Sequence, residues 1–104
     1  MIIYISGPMT KHKDNDYNRA AFYAAEKHLT EQGHIVLNPA YTPDGLTLEQ
    51  YLRIDLVLVE IADAIYMLKE WEESTGANAE YAHALLHQKQ ILYEEGEDDE
   101  SLES

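Results

Sequence analysis

Four short apolar segments, separated by patterns typical of amphipathic helices, constrain the fold of this chain more than any other feature. They cover residues 2–6, 34–39, 63–68 and 90–93. Each is a nearly continuous apolar run rather than a clean alternation, which is typical of parallel strands covered on both faces. The sequence therefore predicts strands at all four places.

Three helical patterns lie between these strands, at residues 17–32, 47–61 and 76–88. In the first, apolar residues share one face, and Gly33 follows where a glycine often ends a helix. The second opens with Thr47 and Gln50, the pair of a capping box. The order βαβαβαβ predicts an α/β sandwich with right-handed crossovers, whose ligand crevice lies beyond the carboxyl ends of the strands.

Charge and composition exclude several classes of function. The 104 residues indicate one domain, and the absence of cysteine excludes disulfides and thiolate metal sites. Of the formal charge of −13, seven carboxylates lie in residues 94–104, which we expect to be a disordered acidic tail. No basic stripe is present for duplex nucleic acid. No segment suggests a signal peptide or a membrane partner, so a cytoplasmic location is expected.

Candidate functional residues collect where the predicted strands end. Tyr4, Gly7 and Pro8 lie in or after the first strand, and Asn38 ends the second. Asp55 lies on the apolar stripe of the second helix. A carboxylate there is costly unless it is paired or solvated, so it indicates a pocket. The alternative is a slightly rotated helix that places Asp55 at a solvated boundary.

The segment "ESTGANAE", residues 73–80, gives the strongest local signal. Ser74 and the free amides of the helix start form a potential anion site. Gly76 and the neighbouring alanines leave room beside Glu80. An acidic residue that only interacts with the helix dipole is expected in the first turn, and Glu80 is predicted to lie beyond it. An interaction with the dipole remains an alternative.

A metal site on the same helix is a competing interpretation. Glu80, His83 and His87 share a face, and two histidines four residues apart can bind a metal. Because the sequence shows no HExxH motif and no further ligand, we expect neither a metal nor another cofactor.

Four segments in order resemble the nucleoside 2-deoxyribosyltransferase superfamily. They are "YISGPM", "GHIVLNPA", "YLRIDLVLVEIADAIYML" and "WEESTGANAEYAHA", within residues 1–93. The chain looks most like the small members of that superfamily: the 2'-deoxynucleoside 5'-monophosphate N-glycosidases and the short proteins grouped as DUF4406. We predict a domain at residues 1–93 followed by the tail.

The resemblance implies a flavodoxin-like (Rossmann-like) three-layer sandwich with a parallel sheet of about five strands. It also implies cleavage of the N-glycosidic bond of a deoxynucleotide or deoxynucleoside. Glu80 would attack the anomeric carbon, and Tyr4 would orient that carboxylate. Asp55 would contact the sugar hydroxyls and protonate the leaving base, and Ser74 would contact the 5'-phosphate. Further substrate contacts are expected from Gly7, Pro8, Asn38 and Gly76, and the protein is expected to be a homodimer or larger.

Some alternatives stay open at this point. Thr10 stands where the glycosidases often carry a phosphate-binding arginine. Whether the substrate is a nucleotide or a nucleoside is therefore undecided. Hydrolysis is favoured over transfer because a short chain leaves little sequence for a second base pocket. A nucleotide-binding protein without turnover, or an acidic interaction protein that acts through its tail, would fit the same sequence.

Overall fold

The computed structural model describes residues 1–9 and 18–94. Strands and helices alternate along the chain in this order: β1 Ile2–Ser6, α1 Arg19–Glu31, β2 Ile35–Leu37, α2 Leu48–Ile61, β3 Ala64–Met67, α3 Thr75–Leu86 and β4 Gln90–Tyr93. Two one-turn 3₁₀ helices, Pro39–Tyr41 and Trp71–Glu73, follow β2 and β3. All four predicted strands and all three predicted helices are therefore present. The acidic tail beyond Glu94 and the start of the first predicted helix lie outside the described residues.

The strands form one parallel sheet in the order β2-β1-β3-β4. This confirms the α/β class and the parallel arrangement. The count of about five strands was wrong for the described residues, which contain four.

The core has two sides, separated by the sheet. Alternate residues of a strand point to opposite faces, so Ile3 and Ile5 pack towards α1 while Tyr4 packs towards α2 and α3. The α1 side is completed by Phe22 and Leu29. Each fully buried aliphatic or aromatic side chain contributes about 1.5–3 kcal/mol. Helices on both faces make the predicted three-layer sandwich.

The ends of α1 and α2 follow the predicted local chemistry. Gly33, at φ 95°, donates its N–H to the carbonyl of Thr30 at 2.9 Å, and His34 donates to Leu29 at 3.2 Å. These two bonds form a Schellman motif. At the start of α2, Thr47 Oγ1 accepts from Gln50 N at 3.1 Å, and Gln50 Oε1 accepts from Thr47 N at 2.9 Å. The capping box is confirmed.

No helix among residues 1–9 and 18–94 combines the length and apolar character needed to cross a membrane.

Candidate active site

Glu80 is the sixth residue of α3 and is buried, with 6% of its surface exposed. Tyr4 and Ser6 point towards α3 because they alternate with Ile3 and Ile5 along β1. Ser6 Oγ consequently donates to Glu80 Oε1 at 2.6 Å in the protein interior. Burial raises the pKa of Glu80 well above its ordinary value, the charge of Asp55 raises it further, and the Ser6 hydrogen bond opposes both.

Asp55 is also buried, with 9% exposed, so the solvated-boundary alternative does not hold. Burial raises its pKa, whereas hydrogen bonding with Glu80 and Tyr4 acts in the opposite direction. Asp55 Oδ1 itself has no hydrogen-bond partner of good geometry among the described residues. Because the two buried carboxyls interact, the site loses its two protons one after the other, and each of the two pKa values describes the pair rather than a single residue.

The hydroxyl of Tyr4 is the third polar group at this point. It is buried and, like Asp55 Oδ1, makes no hydrogen bond of good geometry to a described residue. Burial raises the pKa of the phenol, and the negative charges of Glu80 and Asp55 raise it further. The phenol therefore stays neutral and can donate a hydrogen bond. Buried polar atoms without partners are uncommon in folded proteins and are expected to meet a ligand or water.

These groups line a cavity of about 400 Å³ beyond the carboxyl end of β1. That volume lies within the range of small-molecule sites. Six of the eight predicted site residues line it: Tyr4, Gly7, Asp55, Ser74, Gly76 and Glu80. The fold therefore brings residues from β1, α2 and α3 to one place, as expected for the crevice of a parallel α/β sheet.

Pro8 and Asn38 are not among the described residues that line the cavity, so the prediction that they contact substrate is not supported. Asn38 is held by its own hydrogen bonds. Its Oδ1 accepts from Ala40 N at 2.9 Å, while Nδ2 donates to the carbonyl of Phe22 at 3.3 Å and to Glu26 Oε1 at 3.0 Å. The Pro8 carbonyl accepts from Asn18 Nδ2 at 3.0 Å. These contacts secure loops to α1.

The two glycines that line the cavity, Gly7 and Gly76, differ in whether a side chain would fit at their position. A Cβ on Gly7 would lie 2.8 Å from Cβ of Leu68, so packing against β3 already excludes a side chain there. A Cβ on Gly76 would meet nothing nearer than Leu52 Cδ2 at 3.9 Å. Gly76 therefore leaves space in the cavity, whereas Gly7 permits close approach of chain segments.

Ser74 caps α3 as well as lining the cavity. Its Oγ accepts from Ala77 N at 3.1 Å. The hydroxyl hydrogen of Ser74 stays available to donate, since a hydroxyl can accept and donate together. An anion at the start of α3 would meet this hydrogen and the first backbone amides of the helix.

Sequence reasoning missed several groups that line the cavity or, like the fully buried Ser6, hold a cavity residue in place. Ser6 could have been found from its alternation with Tyr4 along β1. Arg19 opens α1 and, among the described residues, is the only Lys or Arg that lines the cavity, where it pairs with Asp44. The segment 42–46 closes one side, and Tyr51 holds it by donating to the carbonyl of Pro43 at 2.8 Å. No periodicity marks that segment.

The comparison with protein families decides the relationship. The family model described as "Domain of unknown function (DUF4406)" matches residues 1–93. The chain belongs to the DUF4406 family. No curated protein matches it significantly.

Solved structures share the fold of this DUF4406 protein. The 2-deoxyribosyltransferase of the psychrotolerant bacterium Bacillus psychrosaccharolyticus superposes with a TM-score of 0.70 at 19% identity, over 89% of this chain and 71% of that one. The 2-deoxyribosyltransferase of Leishmania mexicana gives a TM-score of 0.68 at 21% identity, over 88% and 62%. This chain thus spans less than two thirds of the second enzyme. The resemblance noted from the sequence is confirmed for the family and for the fold.

Proposed function

We propose that this protein cleaves the N-glycosidic bond of 2'-deoxynucleoside 5'-monophosphates by hydrolysis. One observation carries the proposal: two buried carboxyls, Glu80 and Asp55, face a nucleoside-sized cavity with unpartnered oxygens of Asp55 and Tyr4 beside them. The shared fold with 2-deoxyribosyltransferases supports chemistry at the same bond.

The first step needs one ionised and one protonated carboxyl. Glu80, ionised, attacks C1' of the deoxyribose as the bond from C1' to the base nitrogen breaks. Asp55, protonated, gives its proton to the departing base. The raised pKa values of both groups allow the pair to hold one proton at a pH where exposed carboxyls are fully ionised. In the free site burial favours that proton on Glu80, whereas the positive charge that develops at C1' of a bound substrate favours an ionised Glu80 and leaves the proton on Asp55.

The second step releases the sugar. Water attacks C1' and loses a proton to the now ionised Asp55, and the ester bond to Glu80 breaks. The products are the free base and 2-deoxyribose 5-phosphate, and both carboxyls return to their starting forms. Ser6 holds Glu80 Oε1 in place throughout, and the neutral Tyr4 can donate to the carboxylate or the sugar.

The phosphate preference has its own support. Ser74 and the first amides of α3 lie on the cavity, and Arg19 also lines it. Arg19 supplies the cation that Thr10 does not, and a guanidinium suits phosphate oxygens. If a phosphate replaced Asp44 as the partner of Arg19, the salt bridge would open but the guanidinium would still be paired.

A chromatographic screen for free base tests the proposal. Each common deoxynucleotide and its nucleoside is incubated with wild type, Glu80→Gln and the exposed control Glu73→Gln, with and without an acceptor base. We expect base release by wild type and Glu73→Gln, and a loss of several orders of magnitude in Glu80→Gln. Circular dichroism confirms folding of each variant.

Other outcomes assign the alternatives. A new nucleoside formed only with acceptor base would make the protein a transferase. Tight nucleotide binding without turnover would overturn the enzymatic proposal and leave a binding protein. Near wild-type turnover by Glu80→Gln would remove Glu80 from the chemistry.

Ser74→Ala in the same screen tests whether the protein prefers nucleotides to nucleosides as substrates. A hydrogen bond to a charged group is worth about 1.5–3 kcal/mol, so kcat/KM for the monophosphate should fall by roughly 10- to 100-fold. The nucleoside should lose little. Equal losses on both substrates would mean that Ser74 acts only as the cap of α3, and the phosphate preference would be rejected.

A further inference from the structure

A cluster of two histidines and one glutamate lies outside the cavity, between α2 and α3. Glu60 belongs to α2, His83 belongs to α3, and His87 follows one turn later as the C-cap residue of α3. One potential ligand atom from each residue lies within 4.8 Å of the other two. We propose that Glu60, His83 and His87 bind a divalent transition-metal ion such as Zn²⁺. The sequence grouped the two histidines with Glu80, but Glu80 lines the cavity instead, and the fold supplies Glu60 as the third residue of the cluster.

The distances fit such an ion after small side-chain rotations. Glu60 Oε2 lies 2.7 Å from His83 Nε2 and 3.9 Å from His87 Nε2, and the two imidazole centroids are 4.4 Å apart. Ligand atoms around tetrahedral zinc lie about 3.3 Å apart, as follows from bonds of about 2.0–2.1 Å. The observed separations fall on either side of that value. The packed helices fix the backbone positions of all three ligands.

Accessibility and charge also suit an ion. The side chains of His83, His87 and Glu60 are 20%, 40% and 45% exposed, so an ion can enter and keep a coordination position for water. As an exposed glutamate, Glu60 brings a negative charge to the site at neutral pH. Lys89 Nζ donates to the Glu60 carbonyl at 2.8 Å and is the nearby opposing charge. The two imidazole ligands favour zinc, copper or nickel over magnesium.

Competition with a chromophoric chelator measures the site directly. Protein without a histidine tag is freed of metal with EDTA, then titrated with Zn²⁺. We expect one ion per chain in wild type, and an affinity weaker by more than about tenfold in Glu60→Gln and in His83→Ala. His28→Ala, an exposed histidine on α1, is the matched control and should bind as wild type does.

Thermal melting supplies a readout that does not depend on turnover. Zn²⁺ should raise the Tm of wild type, as a ligand of the folded state must, and should leave His83→Ala/His87→Ala unchanged. Each variant is first melted without metal to show that it folds. No zinc binding by wild type, or equal binding by the double variant, would overturn the proposal and leave Glu60 and His83 as a hydrogen-bonded pair. Neither result bears on the proposed glycosidase reaction.

Discussion

At the scale of single residues, the buried carboxyl of Glu80 works against stability. Its pKa is raised well above the ordinary 4.5, so above pH 4.5 the folded protein holds a proton that the unfolded chain has lost. The free energy of unfolding therefore falls as pH rises from about 4.5 through the raised pKa. Packing elsewhere in the protein must offset this cost of the buried carboxyl, as is common for candidate functional sites.

Glu80→Gln should relieve this cost while abolishing turnover. The amide cannot ionise, and its oxygen can still accept from Ser6. We expect the variant to be more stable than wild type at pH 8, because there the wild type must either bury a charged carboxylate or keep a proton that its unfolded chain has lost. The difference should shrink towards pH 5. Urea unfolding at both pH values measures it, with Glu73→Gln as the exposed control. A variant that is no more stable than wild type at pH 8 would contradict the burial argument.

Residue identities at the site were only partly predictable. Asp55 and Glu80 could be found because a carboxylate on an apolar stripe, or among small residues, conflicts with ordinary helix composition. The position of Asn38 after β2 suggested a ligand contact, but Asn38 does not line the cavity and its amide donates to Glu26 and to the Phe22 carbonyl. Long-range side-chain bonds of this kind depend on loop paths that no local pattern encodes.

At the scale of elements, helix ends were the most predictable feature, since capping chemistry is local. α1 and α3 both end in a Schellman motif, but the left-handed position is Gly33 in one and Gln88, at φ 60°, in the other. The Gln88 N–H donates to Leu85, and the Lys89 N–H donates to Ala84. A glutamine carries the steric cost of the left-handed conformation that a glycine avoids.

Gln88→Gly should stabilise the protein by about 0.5–1 kcal/mol, because relief of strain exceeds the lost chain entropy. For a domain of this size that is a rise in Tm of roughly 2–8 °C by calorimetry. The reciprocal change Gly33→Gln should lower Tm, since nothing lies within 4 Å of a Cβ there and only the backbone cost acts. If Gln88→Gly lowers Tm, the side chain of Gln88 contributes more than its backbone conformation costs.

At the scale of the whole molecule, the fold class followed from the order of elements, whereas burial of individual aromatics did not. Among the aromatic residues outside the strands, Phe22 and Trp71 are buried. Trp71 packs on Tyr81 with ring centroids 4.7 Å apart. Tyr23 and Tyr41 are exposed. Which large side chains remain on the surface depends on how the layers close, and this requires the three-dimensional structure.

The exposed face of α2 is where the predicted homo-oligomer can be tested. Ile54, Val57 and Ile61 lie at helical spacing and are all exposed, an apolar stripe of the kind that subunit contacts cover. We expect light scattering to give a dimer mass or larger at micromolar concentration. Val57→Lys should shift the mass towards the monomer, because a buried ammonium without a partner is costly. Thr30→Lys adds the same charge on the exposed surface of α1 and should leave the mass unchanged. A monomeric wild type would reject the oligomer, and an unchanged mass for Val57→Lys would place the subunit contact on another surface.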